Sequence, residues 1–150
     1  MLTLARKCAA GLLMSLPAAS VPSLGRLAGE AWLKAGQPAA AIAPLEQTSA
    51  AQAGDARSAR ALALAYALSG DTDKGMPALT TYLNGAGAKD GPALAAGVYV
   101  VYRRHLVATN AATIVADRTQ ARTWARGYAV TKGPLVPLVE AWAAFLEQTK

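Results

Sequence analysis

Apolar residues along this chain recur at three- and four-residue spacings rather than in alternation. Between Ser23 and Ala35 they fall at Leu24, Leu27, Ala28, Ala31 and Trp32, one face of an α-helix. Pro22 suits the first turn, where a missing N–H costs nothing, and Gly36-Gln37 closes the helix. Pro38 opens a second helix that runs to about Ser49. Asp55 caps a third through Leu68, carrying Leu62, Leu64, Ala65 and Leu68. Ser69-Gly70 ends that helix, and Asp71 or Thr72 caps a fourth that reaches about Leu83.

The glycine-rich stretch from Asn84 to Gly91 is the clearest break and is expected to be a flexible linker. Pro92 starts a fifth helix through Leu106, with Leu94, Val98, Val101 and Tyr102 on one side. Asn110 caps a longer sixth, to about Val130, whose Ile114, Ala121, Trp124, Ala125 and Tyr128 share a face. Lys132-Gly133-Pro134 is a stop and restart. The final helix sets Leu135, Leu138, Val139, Trp142 and Leu146 along one apolar stripe. Connections this short predict antiparallel neighbours, hence an all-α stack of helical hairpins. Pro44 and Pro77 each remove a hydrogen bond inside a helix, at about 3 kcal/mol. Those two helices therefore either bend or begin later than Pro38 and Thr72.

The pattern also repeats. Gly36 and Gly70 lie 34 positions apart, and at the same offset Trp32 pairs with Tyr66, Ala41 with Gly75 and Leu45 with Leu79. Gly29, Ala63 and Gly97 place a small residue at corresponding points of three helices. A bulky side chain needs a near-absent one opposite, so these pairs read as knobs and holes between packed helices. The third unit departs from the pattern: Val100 stands at the aromatic position, and Thr109 and Thr113 at the small and large ones.

Composition agrees with helices. The chain has 150 residues, of which 53% are hydrophobic, enough for one domain. The apolar set is mostly Ala and Leu, which lose little side-chain freedom in a helix. Residues 1–20 read as a signal peptide or an N-terminal helix. Arg6 and Lys7 precede the short apolar run Cys8–Leu16, and Pro17-Ala18-Ala19-Ser20 offers small residues for cleavage after Ser20. Residues 21–150 then form a single helical-repeat domain, which has no cysteine if cleavage occurs after Ser20. No stretch reaches the roughly 18 uninterrupted apolar residues of a membrane span.

The formal charge of +6 favours acidic partners. No basic run exceeds Arg103-Arg104, and no aromatics interleave with a basic face, so nucleic acid is not an expected partner. His105 is the single histidine, and no paired-histidine or paired-cysteine spacing suggests a metal site. Gly85–Gly91 lacks the Gly-Lys-Ser/Thr ending of a phosphate loop. Asp71 and Asp73 belong at a helix start, where carboxylates satisfy free N–H groups. No catalytic residue and no cofactor is assigned. Arg118, Arg122 and Arg126 form a stripe on the sixth helix, either a solvated edge or a strip for an acidic partner.

The 34-residue period with its glycines, aromatics and small–large pairs resembles the tetratricopeptide repeat over about residues 22 to 100, with two full units and one half-unit. The terminal proline of that motif is replaced by Ala53 and Gly87. The resemblance implies a stack with a ligand groove lined by the first helix of each unit. The corresponding positions are Arg26, Glu30, Arg57, Arg60, Leu64, Val98 and Tyr102. It implies a non-catalytic module that binds a protein or peptide, here acidic or amphipathic. The asparagines of the chaperone-binding members are missing from this groove. The ending, Tyr128 to Trp142, resembles the C-terminal tail of larger exported bacterial repeat proteins. The expected location is periplasmic or secreted, with the cytoplasm as the alternative. The alternative role is a structural accessory of an envelope complex, or a stand-alone module related to those larger proteins.

Overall fold

The computed structural model describes residues 22–107 and 111–148. The expectations for residues 1–20, and for Asn110 as a cap, lie outside these residues. The described residues form seven helices: α1 (Pro22–Lys34), α2 (Pro38–Ala51), α3 (Ala56–Ser69), α4 (Thr72–Leu83), α5 (Gly91–Val107), α6 (Ala111–Thr131) and α7 (Val136–Gln148). There is no strand among them, and the fold is all-α.

Local chemistry sets the boundaries. Asp55 accepts the N–H groups of Arg57 and Ser58 at the start of α3, and Asp71 accepts that of Lys74 in α4. Each satisfies donors that the first turn leaves free. Gly36 and Gly70 end α1 and α3 with φ of +72° and +89°, left-handed values that glycine adopts without a Cβ penalty. Pro44 and Pro77 do not delay their helices: α2 starts at Pro38, α4 starts at Thr72, and both run through the proline.

Consecutive helices pack as antiparallel neighbours, and a second set of contacts builds the stack. The odd helices also touch one another in order, α1 with α3, α3 with α5, and α5 with α7. The even helices make no comparable contact with each other. The arrangement is solenoid-like, with odd helices forming a continuous inner layer and even helices outside it.

Small residues let the hairpins close. A Cβ on Gly29 would overlap the side chain of Leu45, which is fully buried. Ala63 and Leu79 are likewise fully buried in one cluster. In the third hairpin a Cβ on Gly97 would stand 2.5 Å from Trp124 Cε3. The bulky partner sits 16 positions after Gly29 but 27 after Gly97. The 11 extra residues are about three helical turns, so the same face returns to the contact. The third unit is therefore a complete but longer hairpin, with Trp124 where Thr113 was expected. Helices α5 and α6 accordingly have 17 and 21 residues, against 12 to 14 in α1–α4. Arg104 and Asp117 pair across the extension at 3.2 Å. Burial raises the Asp117 carboxyl above its ordinary value, and Arg104 only partly offsets this.

Two further expectations change. The Asn84–Gly91 connection is a compact turn rather than a loose linker. Gly87 is buried under the Tyr82 ring, and its N–H donates to the Tyr82 carbonyl at 2.9 Å. On α7, Val139 and Leu146 are buried and Trp142 half-buried, but Leu138, and Leu135 just before the helix, each keep 44% exposure.

These contacts separate two kinds of glycine. Gly97→Ala is expected to destabilise the fold by about 1–3 kcal/mol, because the Trp124 ring must move. Gly75→Ala meets only ordinary contacts at 3.5 Å and is expected to be neutral or to gain up to about 1 kcal/mol in helix propensity. Urea unfolding of both variants checks this, and equal stabilities would contradict it.

Candidate binding groove

The inner layer carries two clefts that meet. The first, about 500 Å³, is lined by Glu30, Leu33 and Lys34 of α1 with Arg57, Arg60, Ala61, Leu64 and Leu68 of α3. The second, about 660 Å³, starts from the same Leu64 and Leu68. It continues over Pro92, Ala95, Ala96 and Tyr99 of α5 to Leu135 and Trp142 at the C-terminal end. Leu64 and Leu68 thus join the two into one groove across the odd helices.

Of the residues expected from sequence, Glu30, Arg57, Arg60 and Leu64 line the groove. Arg26 stands beside it, 3.9 Å from Glu30 across one helical turn. Val98 is fully buried and lines nothing. Tyr102 turns to α7, its ring stacked on Trp142 at 6.0 Å and edge-on to Phe145 at 5.3 Å. One register shift explains both corrections. Helix α5 begins 35 residues after α3, not 34. An offset of 35 carries Arg57, Arg60, Ala61 and Leu64 onto Pro92, Ala95, Ala96 and Tyr99, all groove residues. It carries Ala63 onto Val98, and both are fully buried. A helix advances about 100° per residue, so one extra residue moves Val98 from groove to core. Lys34, Leu68, Tyr99, Leu135 and Trp142 were not singled out as groove residues. Tyr99 was within reach of the 35-residue offset. Leu135 and Trp142 depended on knowing that α7 follows α5 into the inner layer.

Asp90 ties three helices together behind the groove residue Arg60. It caps α5 through the Ala93 N–H at 3.3 Å and accepts the Tyr82 hydroxyl at 2.9 Å. The Arg60 guanidinium donates to both its oxygens, through Nε and through NH2. Three helices, α3, α4 and α5, therefore meet at one carboxylate whose side chain is 14% exposed. Burial alone would raise its pKa. The bonds from Arg60, Tyr82 and the Ala93 N–H outweigh that and hold the carboxyl below its usual value. Arg60 is consequently a structural residue as well as a lining one.

The two halves of the groove differ in character. In the first, Lys34 and Arg57 make no side-chain ion pair among the described residues, whereas Glu30 faces Arg26. In the second, Tyr99 packs on Trp142 at 5.3 Å. Arg103 lies over the Tyr99 ring and donates to its hydroxyl at 2.9 Å. Leu68 is 58% exposed here, beside the exposed Leu135, which is unusual for large apolar side chains clustered in one concavity.

Family models, curated proteins and solved structures provide no match to this chain. The groove must be read from its own chemistry. Among the described residues no group of three or more His, Cys, Asp or Glu could hold a metal ion. No described helix is long and apolar enough to cross a membrane. Arg122 of the sequence-noted arginine stripe pairs with Glu147 of α7 at 2.8 Å, an internal tie rather than a free docking position.

The Asp90 contacts give a pH signature. Its folded pKa is depressed, so its contribution is complete above the unfolded value near 3.9 and is lost as pH falls through the folded value. Asp90→Asn is expected to cost about 1–3 kcal/mol at pH 7. That difference from the parent should shrink as the pH falls below the unfolded value. Urea unfolding across pH checks this, and a pH-independent difference would contradict it.

Proposed function

We propose that this protein is a non-catalytic, tetratricopeptide-like interaction module that holds a peptide or protein segment in the groove of its odd helices. The observation that carries the reading is the groove itself. It is continuous through Leu64 and Leu68, runs from α1 over α3 and α5 to α7 with Tyr128 and Thr131 of α6 at its side, and presents exposed apolar side chains next to cations that have no ion-pair partner among the described residues. Soluble folds rarely leave such surface uncovered without use, and concave inner layers of helical repeats are binding surfaces by geometry.

The tetratricopeptide reading is supported by the left-handed turns at Gly36 and Gly70, 34 residues apart. The filled holes at Gly29 and Gly97 add to it, as does the stacking of first helices on first helices. In that reading Tyr66 keeps a useful polar end. Its hydroxyl donates to Glu46 of α2 at 2.6 Å, and Glu46 also accepts from Lys74 of α4 at 3.0 Å. This network ties the outer helices to α3 without using a residue that lines the groove.

Export belongs to the same proposal, on the pattern Arg6-Lys7, Cys8–Leu16 and Pro17–Ser20. Mass measurement of the mature N-terminus from the host checks it. A new terminus after Ser20 supports export, and a retained Met1 or Leu2 opposes it.

The groove role is tested by photo-cross-linking in the host. A photoreactive residue at position 68 is expected to capture a discrete partner, and one at the exposed outer position 47 is not. Arg57→Glu is expected to abolish capture from position 68 without changing helicity, since Arg57 is exposed and its side chain forms no ion pair among the described residues. Arg60 is unsuitable for this purpose because its loss would leave the part-buried Asp90 carboxylate without its cation. Equal capture from both positions would overturn the proposal.

A further inference from the structure

We infer that the groove takes its occupant in one orientation, with carboxylates over the α1–α3 half and large apolar side chains over the α5–α7 half. This rests on the reading of the groove as the binding surface and names the chemistry of what it holds.

The charge distribution inside the groove carries the argument. Every carboxylate near the first half is already engaged. Glu30 faces Arg26, Asp55 caps α3, and Asp90 is held by Arg60, Tyr82 and the Ala93 N–H. The cations Lys34 and Arg57 have no such engagement among the described residues. Arg26, Lys34, Arg57 and Arg60 outnumber these three carboxylates, so this half keeps a net positive charge, carried outward by Lys34 and Arg57. Lysine and arginine held in a concave wall attract carboxylates more strongly than the same groups on an open surface, because the wall focuses the field.

Beyond Leu68 the wall changes. Ala95, Ala96, Tyr99, Leu135 and Trp142 line it, with no carboxylate among the lining residues and Lys89 as the sole charged one. Lys89 stands at the edge of this wall, and an acidic side chain placed away from it, over Ala95, Ala96, Tyr99 or Trp142, would lose water and gain little. A leucine or aromatic ring would bury apolar surface at about 25 cal/mol per Å². Reversing the occupant would set its carboxylates on the apolar wall and its apolar residues on Arg57 and Lys34. Direction is thus fixed by a penalty on the wrong orientation as well as by attraction in the right one. Neighbouring helix axes lie about 8–10 Å apart, so four odd helices span about 25–30 Å. That is about eight or nine residues of extended chain.

Display of random 12-residue peptides on the immobilised full chain tests this. Enriched peptides would be synthesised with a photoreactive group at either end and titrated by fluorescence anisotropy. The expected consensus has two or more Asp or Glu at one end and large apolar residues at the other. The acidic end should cross-link to α1 or α3 and the apolar end to α5 or α7. Arg57→Glu and Leu68→Glu should each weaken binding tenfold or more, and Gln47→Glu should leave it unchanged. Thermal melting of each variant establishes that it is folded. Peptides lost with Leu68→Glu but indifferent to Arg57→Glu, or cross-linking without end preference, would overturn the orientation and leave the groove reading standing. Failure of any peptide to enrich, or binding indifferent to both substitutions, would overturn the two together.

Discussion

Close approach of two helices at a residue without a side chain is the constraint on which this structure depends. Gly29 lets Leu45 settle against α1, and Gly97 lets the Trp124 ring lie flat against α5. Each hairpin is thereby a thin slab, with the bulk of its knob accommodated inside the slab rather than between slabs. Thin slabs can stack with their first helices in mutual contact, which is what α1, α3, α5 and α7 do. Because the even helices do not follow suit, the layer they form is open and the inner one is continuous. The groove is a consequence of that asymmetry.

Stacking alone does not fix how one hairpin sits on the next. Asp90 does much of this work between the second and third. A single carboxylate starts α5, holds Arg60 of α3 and accepts from Tyr82 of α4. Charge-assisted bonds in a largely buried setting are stronger than neutral ones and strict about geometry. They also consume Arg60, which changes the electrostatics of the groove: among the described residues the cations left to face outward from its α1–α3 half are Lys34 and Arg57. Structural and binding roles of neighbouring basic residues are separated by which of them has a partner.

Much of the architecture was legible because it is written in short-range chemistry. Asp55, Asp71, Gly36 and Gly70 mark their helix ends by satisfying backbone groups or adopting left-handed angles, and neither depends on distant residues. The small–large pairs were legible where the period held. They failed in the third hairpin because three whole turns were added, which leaves the face intact but moves the partner from the expected Thr113 to Trp124. The groove was half legible. Glu30, Arg57, Arg60 and Leu64 follow from the period, but one extra residue before α5 rotates that helix and sends Val98 into the core. The exposure of Leu135 and Leu138 depends on no other described helix packing over them, a tertiary fact that an apolar stripe does not encode.

Amide hydrogen exchange on the full chain, alone and saturated with a display-selected peptide, tests the central claim most directly. If the inner layer is the working surface, slowing on saturation is confined to α1, α3, α5 and α7, with α2 and α4 unchanged. Slowing concentrated in α2 and α4, with the odd helices unaffected, would contradict the account.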